Sequence, residues 1–471
     1  MGSISSLLSS SNAANSIDLS SILEAATGSS TPGIDVTAAV NAAVTAAEAP
    51  EDTWQSQEST LSSQSSALTA IQTAATNLDN DMQSLNSLTG SLASTTVSSS
   101  NSSVVTATAA SGTVDGNNVI VVNNLATTAS FSSDAVASST ADLPAETITI
   151  TPSGGTATTI TTGSGVNTLT DLVNAINSSG AGVTASIITD SSGSELSIVS
   201  NTSGSAGAFT VSSSGSLGFT QGNKGADASL TVNGIAITSA SNTVTGAIPG
   251  LTLNLLSADP GTPVSLTVAP DTTAASTAIN QFVTDYNTLI GDLNAQFTDT
   301  DGSGQGVLAQ DPTVQSLQSD LLGSLDFTST TGSGSSATTT SLASLGITVS
   351  TDGTLAVNSS TLNDALTNNF SSVQNFFQGA SLNGFANSVN QQLTNFISPA
   401  DGAFTVDLQS MQTEFTGLQT DVTNFQNNVI TPLKAQLQTE YSNAEIALQQ
   451  LPVELKDVDE ELGINNNSSS N

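Results

Sequence analysis

The chain of 471 residues contains no histidine, no cysteine and no arginine, and only three of its residues are lysines. Without histidine and cysteine it can form neither a histidine-based catalytic triad, nor a thiolate nucleophile, nor a zinc site with the usual ligands. Three lysines cannot neutralise a nucleic-acid backbone, so nucleic acid is excluded as a partner. Among the chemistries considered, those that need carboxylates alone remain, namely glycoside hydrolysis and calcium binding.

Neither carboxylate chemistry is supported by the residues present. The run from Asp299 to Gly304 matches the opening of a calcium loop, but Gln310 stands where the bidentate glutamate is required. Sugar-binding clefts are usually lined by tryptophan and tyrosine, and the chain has one tryptophan and two tyrosines. We therefore expect a protein that is not an enzyme and has no cofactor and no metal site.

The net charge reflects missing bases rather than added acids. Thirty-nine acidic residues against three lysines give a formal charge of −36, yet charged residues make up only 9% of the chain. Typical globular proteins carry about a quarter. We hypothesise that the exterior is suited to an acidic medium, in which protonated carboxylates leave the protein nearly neutral. A stability optimum near or above neutral pH would contradict this hypothesis.

Long apolar runs are also missing. No segment is long and apolar enough to span a bilayer. Residues Met1–Thr27 have neither the positive start nor the continuous apolar stretch of a secretory signal, so an extracellular location would require another export route. Without cysteine there is no disulfide framework, and packing must supply the stability.

Heptad spacing predicts a long helix in the N-terminal part of the chain. From about Asp35 to Leu92, after a turn at Ala49-Pro50, apolar residues recur every seven positions in two sets three residues apart. We expect residues 33–96 to form a helical leg and residues 1–32 a mobile segment. The predicted seam residues are Trp54, Leu61, Leu68, Ile71, Leu78, Met82 and Leu85.

The middle of the chain predicts β-structure. Short runs of β-branched and apolar residues alternate with turn signals between about Val97 and Val268, and one helix is predicted over Leu169–Asn177. We expect a first β domain from residues 97–130 and 225–270, and a second, inserted β domain from residues 131–224. The clearest strand candidates are Thr147–Thr151, Val183–Thr189, Leu196–Ser200, Ala228–Val232 and Leu251–Leu255.

Helical patterning returns after the strands. Residues 273–400 are expected to be mostly helical, with a looser stretch from about residue 298 to Ser360. The predicted helices are Thr273–Phe297, Thr361–Phe377 and Phe385–Ile397.

The last part of the chain carries the most regular seam. Residues 401–452 are predicted to form coiled-coil helices that change register at Pro432 and end at Pro452, before an acidic, then Asn/Ser-rich tail at 453–471. The predicted seam residues are Leu408, Met411, Phe415, Leu418, Val422, Phe425, Val429, Leu437, Tyr441, Leu448 and Leu451.

These patterns predict an α+β multidomain protein. A discontinuous helical, coiled-coil domain would be built from both chain ends, and an all-β region with two subdomains would be inserted between them. Because the two ends can pair only if the β region is an excursion, we expect an elongated molecule with a helical stalk. The sequence period does not decide whether the seams serve one chain or an oligomer.

Six segments also carry a resemblance to a known family. Gly33-Ile34-Asp35-Val36, followed by Ala47-Glu48-Ala49-Pro50, is similar to the N-terminal signature of the flagellar hook-associated protein 2 family, the filament-capping proteins. The long extension before Gly33, the scarcity of Lys and Arg, and the end after Pro452 depart from the family pattern. The other similar segments, in the family's order, are Ser102–Ala109 with Val119–Val122, Leu169–Val183, Ala226–Val268, Phe282–Asn287 and Leu342–Val357.

The resemblance implies a non-enzymatic assembly factor at the distal, extracellular tip of a bacterial flagellar filament. Such a protein promotes flagellin polymerisation beneath it. The implied partners are further copies of the chain in a ring-like homo-oligomer, flagellin, the flagellar type III export apparatus and an export chaperone. The chaperone would mask the helix Leu433–Leu451, unless this helix pairs with the chain's own N-terminal helix.

Two alternatives remain from the sequence. One is another flagellar axial protein, such as a hook–filament junction protein, which shares helical ends and β insertions. The other is an extracellular β-sandwich adhesin on a helical stalk, which would require an anchoring signal and an exposed aromatic site.

Overall fold

The computed structural model describes residues 35–298, 305–332 and 337–461, and it confirms an α+β architecture with helices from both chain ends and strands between them. The predicted segment 1–32, the calcium-like run Asp299–Gly304 and residues 462–471 of the tail lie outside the described residues. In the described ranges no helix is long and apolar enough to cross a membrane. The helices are α1 Val36–Ala47, α2 Ala49–Asn86, α3 Leu169–Ser178, α4 Thr272–Phe297, α5 Pro312–Ser324, α6 Ser359–Asn368, α7 Phe370–Gln378, α8 Phe385–Ile397, α9 Ala403–Phe425 and α10 Thr431–Glu461.

The N-terminal helices begin and end where local chemistry allows. The side chain of Asp35 caps α1 by accepting a hydrogen bond of 3.0 Å from the backbone N–H of Ala38. Glu48 separates α1 from α2, and Pro50 stands in the first turn of α2, where its missing N–H has no helical partner to lose. Helix α2 then runs for 38 residues, as the heptads predict.

The first β unit consists of two sheets packed around one core. A five-stranded antiparallel sheet has the order β1-β15-β3-β11-β12, and a three-stranded sheet has the order β13-β14-β2. Asn233 and Gly234, with φ of 53° and 83°, form the two-residue turn of the β11–β12 hairpin. The strands are β1 Thr95–Ser99, β2 Val105–Ala109, β3 Gly116–Asn124, β11 Ala228–Val232, β12 Ile235–Ser239, β13 Thr243–Thr245, β14 Leu251–Leu255 and β15 Val264–Pro270.

The second β unit lies between β3 and β11 in the chain. It has a four-stranded sheet of order β10-β4-β8-β7, a three-stranded sheet of order β6-β5-β9, and helix α3. Thr168 and Asp171 form a reciprocal capping box at the start of α3, and the hydrogen bonds from Thr168 and Asn167 lower the pKa of the Asp171 carboxyl. The strands are β4 Thr128–Ser133, β5 Thr147–Pro152, β6 Thr158–Thr161, β7 Val183–Asp190, β8 Gly193–Ser203, β9 Phe209–Ser213 and β10 Phe219–Gln221.

The predicted strands and the predicted helix in the middle of the chain are confirmed. Each of the five strand candidates coincides with β5, β7, β8, β11 or β14, and Leu169–Asn177 coincides with α3. Their alternating burial, such as that of Leu251, Leu253 and Leu255 in β14, is the period-two pattern on which the prediction depended.

The prediction of a looser stretch before Ser360 is wrong. It contains α5 and two hairpins, β16 Thr328–Thr331 with β17 Thr338–Ser341, and β18 Ile347–Val349 with β19 Leu355–Val357. Asp311 caps α5 by accepting from the N–H groups of Thr313 and Val314. These strands are only three or four residues long, and those of the first hairpin consist of threonine and serine, so they carry too little apolar alternation to be predicted.

The predicted helix Thr361–Phe377 is also corrected, since α6 and α7 meet at Asn369. The backbone of Asn369, with φ of −140°, leaves the helical region there. The helical core then gathers α2, α4 to α9 and the short hairpins around one continuous apolar cluster. Five phenylalanines pack ring against ring within it: Phe282, Phe327, Phe376, Phe377 and Phe385.

The C-terminal helix is longer than the sequence predicts. A π-helical turn, Gln426–Ile430, joins α9 to α10, and the helix passes Pro452 and ends at Glu461. The predicted tail therefore begins as helix over residues 453–461. A proline removes one N–H donor from a helix, and the turns on either side of residue 452 retain helical geometry despite that loss.

Candidate assembly interface on the terminal helices

The two chain ends meet in an antiparallel pair of helices. Helices α1 and α2 contact α9, the π turn and α10, and we call these elements the terminal helix pair. Trp54 contacts Phe425, whereas Leu68, further along α2, belongs to the core against which Leu408 and Met411 pack. Residue numbers thus rise along one helix as they fall along the other.

At its inner end the pair is part of the helical core. Helix α2 contacts α4, α8 and α9 there, and Leu408 and Met411 of α9 are half-buried against the same core. These contacts assign the inner part of the predicted seam to packing within one chain. The fully buried seam residues are Leu68, Ile71, Leu78, Met82 and Leu85.

In its middle the pair is a seam of two helices only. Trp54 and Phe425 meet edge to face with their ring centroids 5.4 Å apart. Next to them Leu61, Met411 and Phe415 line a shallow groove of about 190 Å³ together with serines of α2. The predicted seam residues in this part are half-buried: Trp54, Leu61, Phe415, Leu418, Val422 and Phe425.

The outer part of the pair forms a small separate cluster. Val40 and Val44 of α1 are buried against Ile430, and Phe425, Leu437 and Tyr441 pack around them. Thus the first turns of the predicted chaperone-binding helix pair with the chain's own N-terminal helix in this structure. Val40 and Val44 are not among the predicted seam residues, although their i, i+4 spacing in an alanine-rich helix is a signal for a packed face.

At Val429 the predicted seam turns away from the packed side of the helix pair. Its side chain is 45% exposed, while that of Ile430 is 3% exposed and takes the packed position. The π turn causes this exchange, because the N–H of Thr431 donates to the carbonyl of Gln426, five residues earlier. The wider turn precedes Pro432, whose ring would crowd the carbonyl four residues before it in an α-helix.

A buried carboxylate joins the two helices beside this turn. Glu51 is 9% exposed and accepts hydrogen bonds from Gln426 on the opposite helix and, at 3.0 Å, from Gln55 on its own. Both donors are amides, so the charge is stabilised by neutral groups. The heptad analysis could not identify this contact, because Glu51 and Gln426 are separated by 375 positions.

Beyond Tyr441 the last helix presents apolar side chains that no other described residue covers. Leu448 and Leu451, both predicted seam residues, are 39% and 48% exposed. Ile446, Val453 and Val458 on the same helix are also exposed. We call this part of α10, residues 446–458, the exposed tip. Apolar surface of this kind is typical of a site that binds another protein.

The side chains of the terminal helices show what kind of contact these helices can make. Within the described ranges, no group of three or more acidic side chains could hold a metal ion. The large apolar side chains exposed at the tip are aliphatic, and the predicted seam residues between the two helices are aliphatic or aromatic. Such surfaces bury apolar area against a partner helix.

Family models match both ends of the chain. The flagellar hook-associated protein 2 N-terminus model matches residues 32–129, and the flagellar hook-associated protein 2 C-terminus model matches residues 225–452. Between them, the flagellin hook IN motif matches residues 147–202. The two hook-associated protein 2 models together match more than half of the chain.

Curated relatives and a solved structure agree with these matches. The chain is 28% identical over 316 residues to the B-type flagellar hook-associated protein 2 of Pseudomonas aeruginosa, covering 60% of this chain and 65% of that protein. It is 30% identical over 183 residues to the lateral flagellar hook-associated protein 2 of Vibrio parahaemolyticus, covering 38% and 39%. Thus it spans 65% or less of the length of these relatives. The crystal structure of the D1-D2-D3 domains of the flagellar cap protein FliD from Escherichia coli matches 74% of this chain and 99% of that one, with a TM-score of 0.58 and 28% identity.

Proposed function

Because the chain belongs to the flagellar hook-associated protein 2 family, we propose that it caps the distal end of a bacterial flagellar filament and promotes the polymerisation of flagellin beneath it. The observation that carries this proposal is the exposed tip of α10, which extends beyond the packed helix pair and offers aliphatic side chains to a partner. A cap must hold the filament end while subunits insert, and contacts of this kind can form and break repeatedly.

The β units and the terminal helices would have different tasks. The two β units would form a plate that retains incoming flagellin, and the terminal helix pair would act as a leg that reaches between flagellin subunits. The leg surface is rich in Ser, Thr, Asn and Gln, and its charged residues are concentrated in α10. Weakly polar contacts would let the leg shift position each time a subunit inserts, because they carry no strong ion pairs to break.

The partners would be further copies of the chain in a ring-like oligomer, flagellin, the flagellar export apparatus and an export chaperone. The chaperone would cover the exposed tip before export, since Leu437 and Tyr441 are already packed on α1. The protein would act outside the cell, at the filament tip, and without enzymatic activity.

We propose the following units for experiments that use parts of the chain. Residues 33–96, 273–400 and 401–452 would form the helical domain, residues 97–130 with 225–270 the first β domain, and residues 131–224 the second. The three large apolar clusters support this division except at one boundary, because the cluster of the second β unit also contains Ala129.

A complementation experiment tests the function. In a motile strain that lacks its own cap gene and carries the cognate flagellin, the variant Leu448→Ser/Leu451→Ser/Val458→Ser should fail to support filament growth and release unpolymerised flagellin into the medium. Val114→Ser/Ile235→Ser is the control, because it removes aliphatic side chains that are 86% and 67% exposed from the first β unit. Electron microscopy would measure filament length.

The location of the protein separates the alternatives. Immunogold label at the filament tip supports a cap, whereas label at the base would indicate a hook–filament junction protein. Filaments of normal length with the tip variant, exported at the normal level, would refute the proposed role of α10. Truncation of residues 1–32 together with the helix after Pro432 should also abolish growth while the β units remain folded.

A further inference from the structure

Two carboxyl groups face each other across the contact between α2 and α4. Asp81 lies on α2 and Asp285 on α4, and their side chains are within hydrogen-bonding reach of each other. Both are half-buried. Two ionised carboxylates offer only acceptors, so a hydrogen bond between them requires one proton.

The surroundings of the pair favour that proton. Oδ2 of Asp81 is buried and has no hydrogen-bond partner, whereas Oδ2 of Asp285 accepts at 2.9 Å from Nε2 of Gln281. The fully buried side chains of Met82 and Phe282 lie beside the pair in sequence, and both belong to the helical core. An ionised Asp81 would therefore be poorly solvated, and ionisation costs more there than in water.

In the described part of the chain, no lysine lies on the two helices that carry the pair or on the elements packed against them. The lysines of the chain are Lys224, Lys434 and Lys456, and none lies on α2, α4 or the elements packed against these helices, α1 and α5 to α9 with the 3₁₀ turn at 91–93 and β19. The other titratable groups on these elements are acidic or phenolic: Glu51, Asp52, Glu58, Asp79, Tyr286, Asp292, Asp320, Asp364, Asp407, Glu414 and Asp421.

We propose that Asp81 and Asp285 share one proton and form an acid-stabilised clasp between α2 and α4, so that the helical core is more stable in a mildly acidic medium than above neutral pH. The proton replaces the basic partner that this sequence does not supply. Helix α2 is also a member of the terminal helix pair. Loss of the proton therefore weakens the contact between α2 and α4 that holds the inner end of the terminal helix pair.

The direction of the pH dependence follows from linkage. Burial first, and then the hydrogen bond and the charge of Asp285, raise the pKa of Asp81 from its ordinary value of 3.8 to about 7. Burial also raises the pKa of Asp292, which lies on α4 with Asp285. Between pH 4 and about pH 7 the folded chain therefore holds a proton that the unfolded chain has lost. Stability falls as the pH rises through this window and becomes level above it.

Equilibrium unfolding of the full chain tests the clasp. The unfolding constant of the helical transition, followed by circular dichroism at 222 nm in denaturant at fixed ionic strength, should rise with pH by up to about tenfold per pH unit between pH 5 and pH 6.5. Asp81→Asn and Asp285→Asn each place an amide donor where the proton stood, so either change should flatten this slope and raise the denaturation midpoint at pH 8.

Asp320→Asn is the matched control, because Asp320 is exposed on α5 and should keep the full slope. The general repulsion among the 39 acidic residues is nearly the same in all three variants and cannot explain a difference between them. An equal slope in the wild type and in both clasp variants would overturn the proposal. A carbon-13 NMR titration of the wild type decides the case even if the variants do not fold. A carboxyl resonance that titrates near pH 7 supports the clasp, and its absence, with every aspartate titrating below pH 5, contradicts it.

Discussion

The carboxylate of Glu51 depends on amide donors, because this part of the terminal helix pair offers it no cation among the described residues. We expect Gln426→Ala to destabilise the helix pair by about 2 kcal/mol, since a hydrogen bond to a buried charge is lost and the carboxylate remains. The chain's single tryptophan, Trp54, contacts Phe425 next to this site, so its fluorescence during denaturant unfolding would report the change locally.

Gln419→Ala is the control for this prediction. Gln419 is exposed on α9 of the same helix pair. Gln419→Ala therefore changes the helix propensity by the same amount as Gln426→Ala, but it does not remove a hydrogen-bond donor from Glu51. Glu51→Gln should reduce the effect of Gln426→Ala, because the group left unpaired is then neutral. Equal midpoints for the Gln426 and Gln419 variants would contradict the assigned contact.

Contacts between buried polar residues are the features that the sequence did not predict. Glu51 with Gln426 and Asp81 with Asp285 each join residues from distant parts of the chain, and neither pair has a local spacing that would reveal it. Apolar residues are different, because their burial follows from a period along one element. Hence Leu68, Ile71, Leu78, Met82 and Leu85 were placed on one face correctly, although the heptads could not say that this face packs within the chain.

Among the helices, the π turn decides which aliphatic side chain closes the outer cluster. Ile430→Ala should cost about 2 to 4 kcal/mol in the stability of the helix pair, because it leaves a cavity beside Val40 and Val44. Val429→Ala should change stability by no more than about 0.5 kcal/mol, because the side chain is 45% exposed. Trp54 fluorescence during denaturant unfolding measures both variants.

The variants Ile430→Ala and Val429→Ala distinguish the observed π turn from an uninterrupted α-helix with the heptad pattern. An uninterrupted α-helix would bury Val429, four residues after Phe425, and the larger loss would then belong to Val429→Ala. The sequence could not locate the π turn, since steps of three and four residues continue unbroken up to Val429. The apolar pattern is compatible with both geometries, and the position of Pro432 was the single local sign of an interruption.

At the scale of the whole molecule, the three large apolar clusters share no residue. Two clusters are made of residues within 104–266, from the strands, α3 and the loops between them, and the helical cluster takes residues from both sides of that range. The change from heptads to period-two alternation and back is visible along the chain and indicates the same order. The sequence could not predict the pairing of β3 with β11 and β15, since strand order depends on contacts between distant segments.

We therefore predict that residues 95–270 fold without the helical core formed by the two ends of the chain. Thr95 and Pro270 are paired across β1 and β15, so the two ends of this fragment lie side by side and no strand loses a neighbour when the helices are removed. The fragment should unfold cooperatively, with the same denaturation midpoint as the β transition of the full chain, and give a dispersed proton–nitrogen NMR spectrum. Residues 95–200 are the control, because they lack β11, β14 and β15 and should not fold. A collapsed spectrum for residues 95–270 would mean that the β units need the helical core, and the helices could not then move relative to the β units without unfolding them.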